Sequence, residues 1–383
     1  MEHYIAEIRI NKLGHLENVN IELSNESRCH LMLTGKNGSG KTSLLEILLM
    51  FLKASVFNSA QDSRKILNGM RYLHLVKTSA VTMSFNVEVD LKKLFDVGEF
   101  IMAYFPADRK ANIIMAKGVE DIKFAVNYDP TADPAQNLVK YMVHLKTQQA
   151  YASQENDFKV ESDIKSWFDN FERTLRNLLE DETLRLEYDY KNYNFLLHQK
   201  GRLPFGFDEL SDGYSSVIQI MSGIMLRMER NWLLSGNTIS YNLEGIVLID
   251  ELETHLHIEL QRKIFPFLTT FFPRVQFIVS THSPYILTSV PNTIIFDLEK
   301  KVRFEDMSNY SIDNVAEAYF DSEDYSLEFE KKLTEYKKLL EKSNPTDNER
   351  IRRAELRIEL ENVNGTLAER IKSEFDDLES RRK

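Results

Sequence analysis

Residues Gly35, Lys36, Asn37, Gly38, Ser39, Gly40, Lys41 and Thr42 spell G-K-N-G-S-G-K-T, a full match to the pattern G-x-x-x-x-G-K-[ST]. That spacing serves to cradle a phosphate chain. The glycines let the backbone curl until several N–H groups face one anion. Lys41 is a flexible point charge for the β- and γ-phosphates, and the Thr42 hydroxyl is a ligand for Mg²⁺. Ser43 continues the cradle into a helix whose positive dipole end faces the anion. ATP with Mg²⁺ is the ligand pair this chemistry predicts.

Three further groups carry chemistry. Asp250-Glu251 closes the apolar run Ile246-Val247-Leu248-Ile249. A carboxylate there can hold Mg²⁺ while its neighbour orients and polarises an attacking water. Asp250 is assigned to the metal and Glu251 to the water. Leu210-Ser211-Asp212-Gly213-Tyr214-Ser215-Ser216 precedes a helix-like apolar series. A serine, a small residue and a helix N-terminus form a second anion-binding end, although an ordinary helix cap has the same spelling. Ser280-Thr281-His282-Ser283-Pro284 follows the apolar run Phe277-Ile278-Val279 and places a histidine where it could bond a γ-phosphate.

These groups need strands to hold them. Cys29 to Leu33 suits a buried strand, and Ser43 to Leu52, with Leu44, Leu45, Ile47, Leu48, Phe51 and Leu52, suits a buried helix. Strand, glycine-rich loop and helix are the context the first motif requires. The runs ending at Asp250 and Ser280 are continuously apolar, as in central parallel strands covered on both faces. Their polar ends lie where such sheets bind ligands. Residues 4–34 begin with two antiparallel strands. Val81 to Leu91 alternates as a strand does, and Phe100 to Phe105 is another. Asp133-Pro134 opens a helix carrying Leu138, Tyr141, Met142 and Leu145. A second helix presents Ile164, Trp167, Phe168, Phe171, Leu175 and Leu178 at close to the 3.6-residue period. Leu184 to Leu197 reads as a hairpin whose aromatics form a packed face. Three short helices are expected over 326–342, 346–361 and 366–382, and residues 54–80 read as irregular.

Composition sets bounds. The chain has 383 residues, one cysteine and a net charge of −11. One cysteine excludes an internal disulfide, and Cys29 reads as a small buried residue. The charge argues against a surface coated for nucleic acid, while leaving room for a local basic stripe. No apolar stretch approaches a membrane span, and Met1-Glu2-His3-Tyr4 has no signal-like core, so a cytoplasmic protein is expected.

The order phosphate loop, serine cap, Asp-Glu, histidine resembles an ABC-class ATPase head. In that resemblance Leu210 to Ser216 stands for the L-S-G-G-Q signature, Asp250-Glu251 for Walker B, Glu253-Thr254-His255-Leu256-His257 for the D-loop, and His282 for the switch histidine. Ser211 follows Lys41 by 170 residues and Asp250 follows Ser211 by 39. Transporter domains have both intervals shorter, and the long heptad arms of SMC proteins are absent. The compact RecF/OLD-type group remains, with particular similarity to ATPases of anti-phage systems such as Septu, PARIS, OLD and the retrons.

The resemblance implies an α/β P-loop NTPase with an ABC-type head: a mixed central sheet, antiparallel N-terminal strands, a helical insertion and a C-terminal helical segment. The expected divisions are a head lobe with the phosphate loop over 1–130, a helical insertion and hairpin over 131–200, the rest of the head over 201–307, and helices over 308–383. The resemblance also implies a head-to-tail homodimer, or a higher oligomer. Each ATP would lie between Lys41 and Thr42 of one subunit and Ser211 and Gly213 of the other. Asp212 and Tyr214 depart from the signature, and an anion at Asp212 suits a phosphate neighbour only if it points away. Gln148 and Gln149 read as surface residues of a helix rather than as a Q-loop. Arg109, after Phe105-Pro106, leaves open a contact to nucleotide or partner and a plain turn residue. His255 and His257 read as interface residues in preference to a metal pair.

The tail beyond His282 is too short for a Toprim nuclease and has no D-x-D site after a strand. The expectation is therefore a sensor ATPase controlling a separate effector, a nuclease or other toxin. The alternative is a RecF-like repair ATPase that clamps DNA.

Overall fold

A computed structural model describes residues 2–57, 81–110, 112–120, 122, 125–235, 241–310, 312, 332, 334–336, 338, 339, 342 and 346–361. The helices expected over 326–342 and 366–382 lie largely or wholly outside these residues, as does most of the irregular stretch expected over 54–80. The chain divides into two compact units, Met1–Ile312 and Asp313–Lys383.

In the first unit, β1 (Ile5–Leu13) and β2 (Leu16–Glu22) form an antiparallel hairpin, followed by β3 (His30–Thr34) and helix α1 (Lys41–Val56). Then come β4 (Val81–Phe85), α2 (Leu91–Val97) and β5 (Phe100–Phe105). The alternation expected to carry one strand to Leu91 stops at Phe85. Asp90 accepts a bond from the Lys93 N–H and caps α2 instead, and Leu91 and Phe95 are buried from its turns. A short cap can thus override a two-residue period.

Helices α3 (Leu138–Gln154) and α4 (Phe158–Leu179) come next, followed by the hairpin β6 (Arg185–Asp189) and β7 (Asn194–His198). A short 3-10 turn, Pro134–Asn137, precedes α3; Pro134 occupies its first turn, but the Asp133 side chain makes no cap bond. The hairpin aromatics pack as expected: Tyr188 stacks on Phe195, and Phe195 on Phe168 of α4. The remaining elements are α5 (Asp212–Ser235), β8 (Glu244–Ile249), α6 (Ile258–Phe271), β9 (Val275–Ser280), α7 (Pro284–Leu287), β10 (Thr293–Asp297) and β11 (Val302–Glu305).

Two sheets hold the site. One is antiparallel, in the order β2-β1-β4; the other has six strands in the order β11-β10-β3-β9-β8-β5. In the larger sheet β10, β3, β9, β8 and β5 run parallel, with β11 antiparallel at the edge. The parallel register sets Leu33 opposite Ser280, Val279 opposite Ile249, and Ile249 opposite Phe105. Every motif that closes one of these strands therefore emerges at the same end. Helix α1 shares a core with both sheets: Leu44, Leu48 and Leu52 bury with Ile8, Ile10, Leu31, Leu248 and Ile278. Each such side chain contributes about 1.5–3 kcal/mol on burial, which anchors the helix that follows the phosphate loop.

Helix α5 is held by buried charge. The Arg227 guanidinium donates to the carbonyls of Met102, Gly223, Asp129, Pro130 and Ala132. Glu229 is fully buried and accepts from the hydroxyls of Tyr141 at 2.5 Å and Tyr241 at 2.8 Å. Burial pushes its carboxyl up to about 7, against these two hydrogen bonds. The folded state thus holds this proton more tightly than the unfolded chain. Its stabilisation is complete below the ordinary carboxylate range and is lost as pH rises through about 7. Glu229→Gln should therefore melt higher than the native chain at pH 8, by about 1–3 kcal/mol of stability, and gain nothing at pH 5. Melting curves at the two pH values check this; equal differences at both would contradict it.

In the second unit the expected central helix is present as α8 (Asp347–Glu361). Glu349 accepts from the Thr346 N–H at 2.8 Å and from its hydroxyl, which satisfies an N–H at the start of the helix.

Candidate nucleotide site

The phosphate loop connects β3 to α1 through left-handed glycines. Gly35, Gly38 and Gly40 have φ of 126°, 85° and 97°, values that side chains disfavour. A Cβ on Gly35 would also lie 3.0 Å from Ser39 Oγ and 3.2 Å from the Glu299 backbone nitrogen. Lys41 is 6% exposed, and its Nζ donates to the carbonyls of Gly35 at 2.7 Å and Lys36 at 3.1 Å. Burial pushes this ammonium below its usual value, while Glu251, Glu253 and Asp250 pull it back up.

One hydrogen-bond network joins the loop to the end of β8. The Thr42 hydroxyl donates to Asp250 Oδ2 at 2.8 Å. The Ser280 hydroxyl donates to Asp250 Oδ1 at 2.5 Å and accepts from the Glu251 N–H at 2.7 Å. Ser280 thus joins the site alongside the residues the sequence singles out. A hydroxyl closing the strand between those of the loop and of Asp250 was the available signal.

Glu251 has φ of 45°, a sparsely populated region for a side chain with Cβ, and it persists only where its surroundings determine it. Arg109 supplies that constraint. Its guanidinium, 2% exposed, donates to the carbonyls of Asp250, Glu251 and Leu252 at 2.7, 3.1 and 3.0 Å. Burial lowers it to about 10, so it stays a cation at neutral pH. Arg109 is thus no plain turn residue but a clamp on the segment that carries both carboxylates. The Glu251 Oε2 accepts from the Thr254 hydroxyl at 3.2 Å.

His282 stands beside this cluster. Its N–H donates to Glu253 Oε1 at 2.5 Å. Burial and then the Lys41 cation push its imidazole below the ordinary value, so it is neutral at pH 7 and carries one ring N–H. The Nε2 of His282, Oε2 of Glu253 and Oγ of Ser39 are buried without a hydrogen-bond partner. Buried polar atoms without partners are costly, and these fit a polar ligand. The oxygens of Thr42 and Asp250 suit a hard divalent cation. No cluster of three or more His, Cys, Asp or Glu side chains able to hold a metal occurs among the described residues, so His255 and His257 form no such cluster with Glu253.

The serine motif makes different contacts. Ser211 is exposed, and its carbonyl accepts from the Ser215 N–H. Asp212 pairs with Lys110 at 2.9 Å. A Cβ on Gly213 would lie 2.6 Å from the His255 carbonyl oxygen, so glycine lets α5 start against the segment after Glu251. The Tyr214 hydroxyl lies 3.4 Å from His257 Nε2. Thus Lys41, Thr42, Asp250, Glu251 and His282 converge within one chain, while Gly213 meets the D-loop-like segment at His255 and Ser211 stays exposed. Gln149 accepts from Lys146 on α3.

Strand, glycine-rich loop and helix, with Thr42 bonded to Asp250 at the end of a parallel strand, form a phosphate-binding-loop site on an α/β sheet. Residues 103–288 match the family model described as "AAA domain, putative AbiEii toxin, Type IV TA system", a span that includes Asp250, Glu251 and His282 and begins after the phosphate loop. The chain is similar to the Septu protein PtuA of Bacillus mycoides (strain KBAB4), 27% identical over 305 residues, covering 75% of this chain and 39% of that protein. It is also similar to the Retron Ec83 probable ATPase of Escherichia coli, 31% identical over 154 residues, covering 38% of this chain and 27% of that protein. The resemblance read from the motifs is borne out by these relatives, of which the chain spans well under half the length. Among solved structures, the SmcHead bound to the C-winged helix domain of ScpA aligns with 78% of this chain and 96% of that chain, at 12% identity and a TM-score of 0.41. No helix among the described residues is long and apolar enough to cross a membrane.

Proposed function

We propose that this chain binds ATP with Mg²⁺, hydrolyses it between two subunits of a head-to-tail dimer, and serves as the sensor subunit of an anti-phage system that controls a separate effector. The observation that carries the ATPase reading is the Thr42–Asp250–Ser280–Glu251 network, which ties phosphate loop and carboxylates into one unit. The relatives' names, a Septu protein and a retron ATPase, support the defence role.

The residues divide the work as follows. Lys41 leaves the Gly35 and Lys36 carbonyls for the β- and γ-phosphates, where its charge is better used. Thr42 and Asp250 would hold Mg²⁺, which when bound neutralises phosphate charge. Glu251 accepts a hydrogen bond from the attacking water and takes its proton. Neutral His282 donates its ring N–H to the γ-phosphate. Ser211 is exposed at the start of a 24-residue helix and meets the γ-phosphate of the partner when the dimer closes. The ion pair to Lys110 turns Asp212 away from that phosphate. Loss of the γ-phosphate removes the contact, so closure reports nucleotide state to the effector.

Two measurements test this reading. Light scattering on the purified chain should show its mass double with ATP. Co-expression with the product of the adjacent gene should yield a complex that survives gel filtration. A monomer at saturating ATP would contradict the composite site, and a neighbour that never co-purifies would contradict the separate effector.

A further inference from the structure

We infer that Glu253 is a positioning residue for hydrolysis, holding His282 in place through the histidine's own backbone. The inference rests on the reading of His282 as a γ-phosphate donor.

Glu253 lies three residues beyond Asp250 in a tight turn. The Leu252 N–H donates to the Ser280 carbonyl, and the N–H groups of Thr254 and Leu256 donate to the carbonyls of Glu251 and Glu253. This turn follows the end of β8 and carries the Glu253 carboxylate to His282, two residues past the end of β9. There Oε1 accepts the His282 N–H at 2.5 Å, a charge-assisted bond of the stronger kind. The preceding N–H, of Thr281, donates to the Leu33 carbonyl at the end of the phosphate-loop strand. His282 is therefore fixed from both sides, by the strand that feeds Lys41 and by the segment that carries Glu251. Loss of the Glu253 bond frees one of those sides.

The other Glu253 oxygen, Oε2, is buried without a partner, and so is His282 Nε2. A carboxylate that served only to cap a loop gains nothing from burying its second oxygen unpaired. A carboxylate that fixes a neighbouring donor in a site filled by a polar ligand does gain. Nucleotide binding has less need of this contact, because Lys41 and the loop amides bind phosphate on their own.

The test compares kcat and ATP affinity in Glu253→Ala, Glu253→Gln, His282→Ala and the Glu253→Ala/His282→Ala pair. Glu253→Ala should lower kcat about 10-fold or more while the ATP Kd stays within about 3-fold. Glu253→Gln keeps an oxygen for the His282 N–H, so its kcat should stay within about 3-fold of native. The double variant should be no slower than His282→Ala, because both changes disable one group. Multiplying effects, a glutamine variant as slow as the alanine one, or a raised Kd with kcat unchanged would each overturn the assignment. If the alanine variant does not fold, Glu253→Asp replaces it, since its shorter side chain cannot span the bond. An unchanged kcat in His282→Ala would remove the histidine reading itself, an outcome distinct from failure at Glu253 alone.

Discussion

Glu251→Gln should lower ATP turnover by about 10²–10⁴-fold while leaving ATP bound. The backbone at this position is set by contacts that glutamine keeps. Its N–H still meets Ser280 Oγ, and its carbonyl still accepts from Arg109. Glutamine is also nearly the same size. What it lacks is the ability to take a proton from water, so chemistry falls and binding does not. A closed dimer that opens only after hydrolysis should therefore accumulate. Single-turnover kinetics with light scattering read both effects. Native turnover in this variant would mean that the water is activated by another group.

Lys41→Ala should act one step earlier and weaken binding. In this chain the ammonium is almost fully buried and bonded to two loop carbonyls, so its removal breaks no hydrogen-bonded ion pair. With nucleotide present it is the cation nearest the terminal phosphates. Truncating one partner of such a buried charged contact costs about 2–5 kcal/mol, which is roughly a 30-fold or greater loss of affinity. Titration with a fluorescent ATP analogue measures it. Binding within about 3-fold of native would remove Lys41 from the phosphate site.

Some of this site could be read directly from the sequence, and the physical reason is locality. The phosphate loop is eight consecutive residues whose backbone geometry needs glycine at fixed places. The strands before Asp250 and Ser280 are continuous apolar runs, and burial on both faces leaves few other assignments. The order of the motifs then suggested a shared site. What could not be read depends on contacts between distant residues. Arg109 lies 141 positions before the Asp250 carbonyl it holds, and nothing in Phe105-Pro106-Ala107-Asp108 announces a buried guanidinium. Ser280 matters because register sets it opposite Leu33 and beside the strand of Asp250, and sequence does not give parallel register. Gly213 showed itself as a small residue, yet the 2.6 Å approach of the His255 oxygen is what requires it. The false extension of β4 arose because alternation continued past Phe85, while the Asp90 cap that ends it is a single side-chain bond.

If, as proposed, two chains build each catalytic site, a mixture of two inactive variants should regain activity. Lys41→Ala disables the phosphate loop, and Ser211→Arg blocks the serine end at an exposed position. Each should be inactive alone. In a two-fold dimer formed from equal amounts, half of the dimers are mixed and each mixed dimer has one intact pair of Lys41 and Ser211, so turnover should return to about a quarter of the native rate. A mixture that stays as inactive as its components would contradict the account.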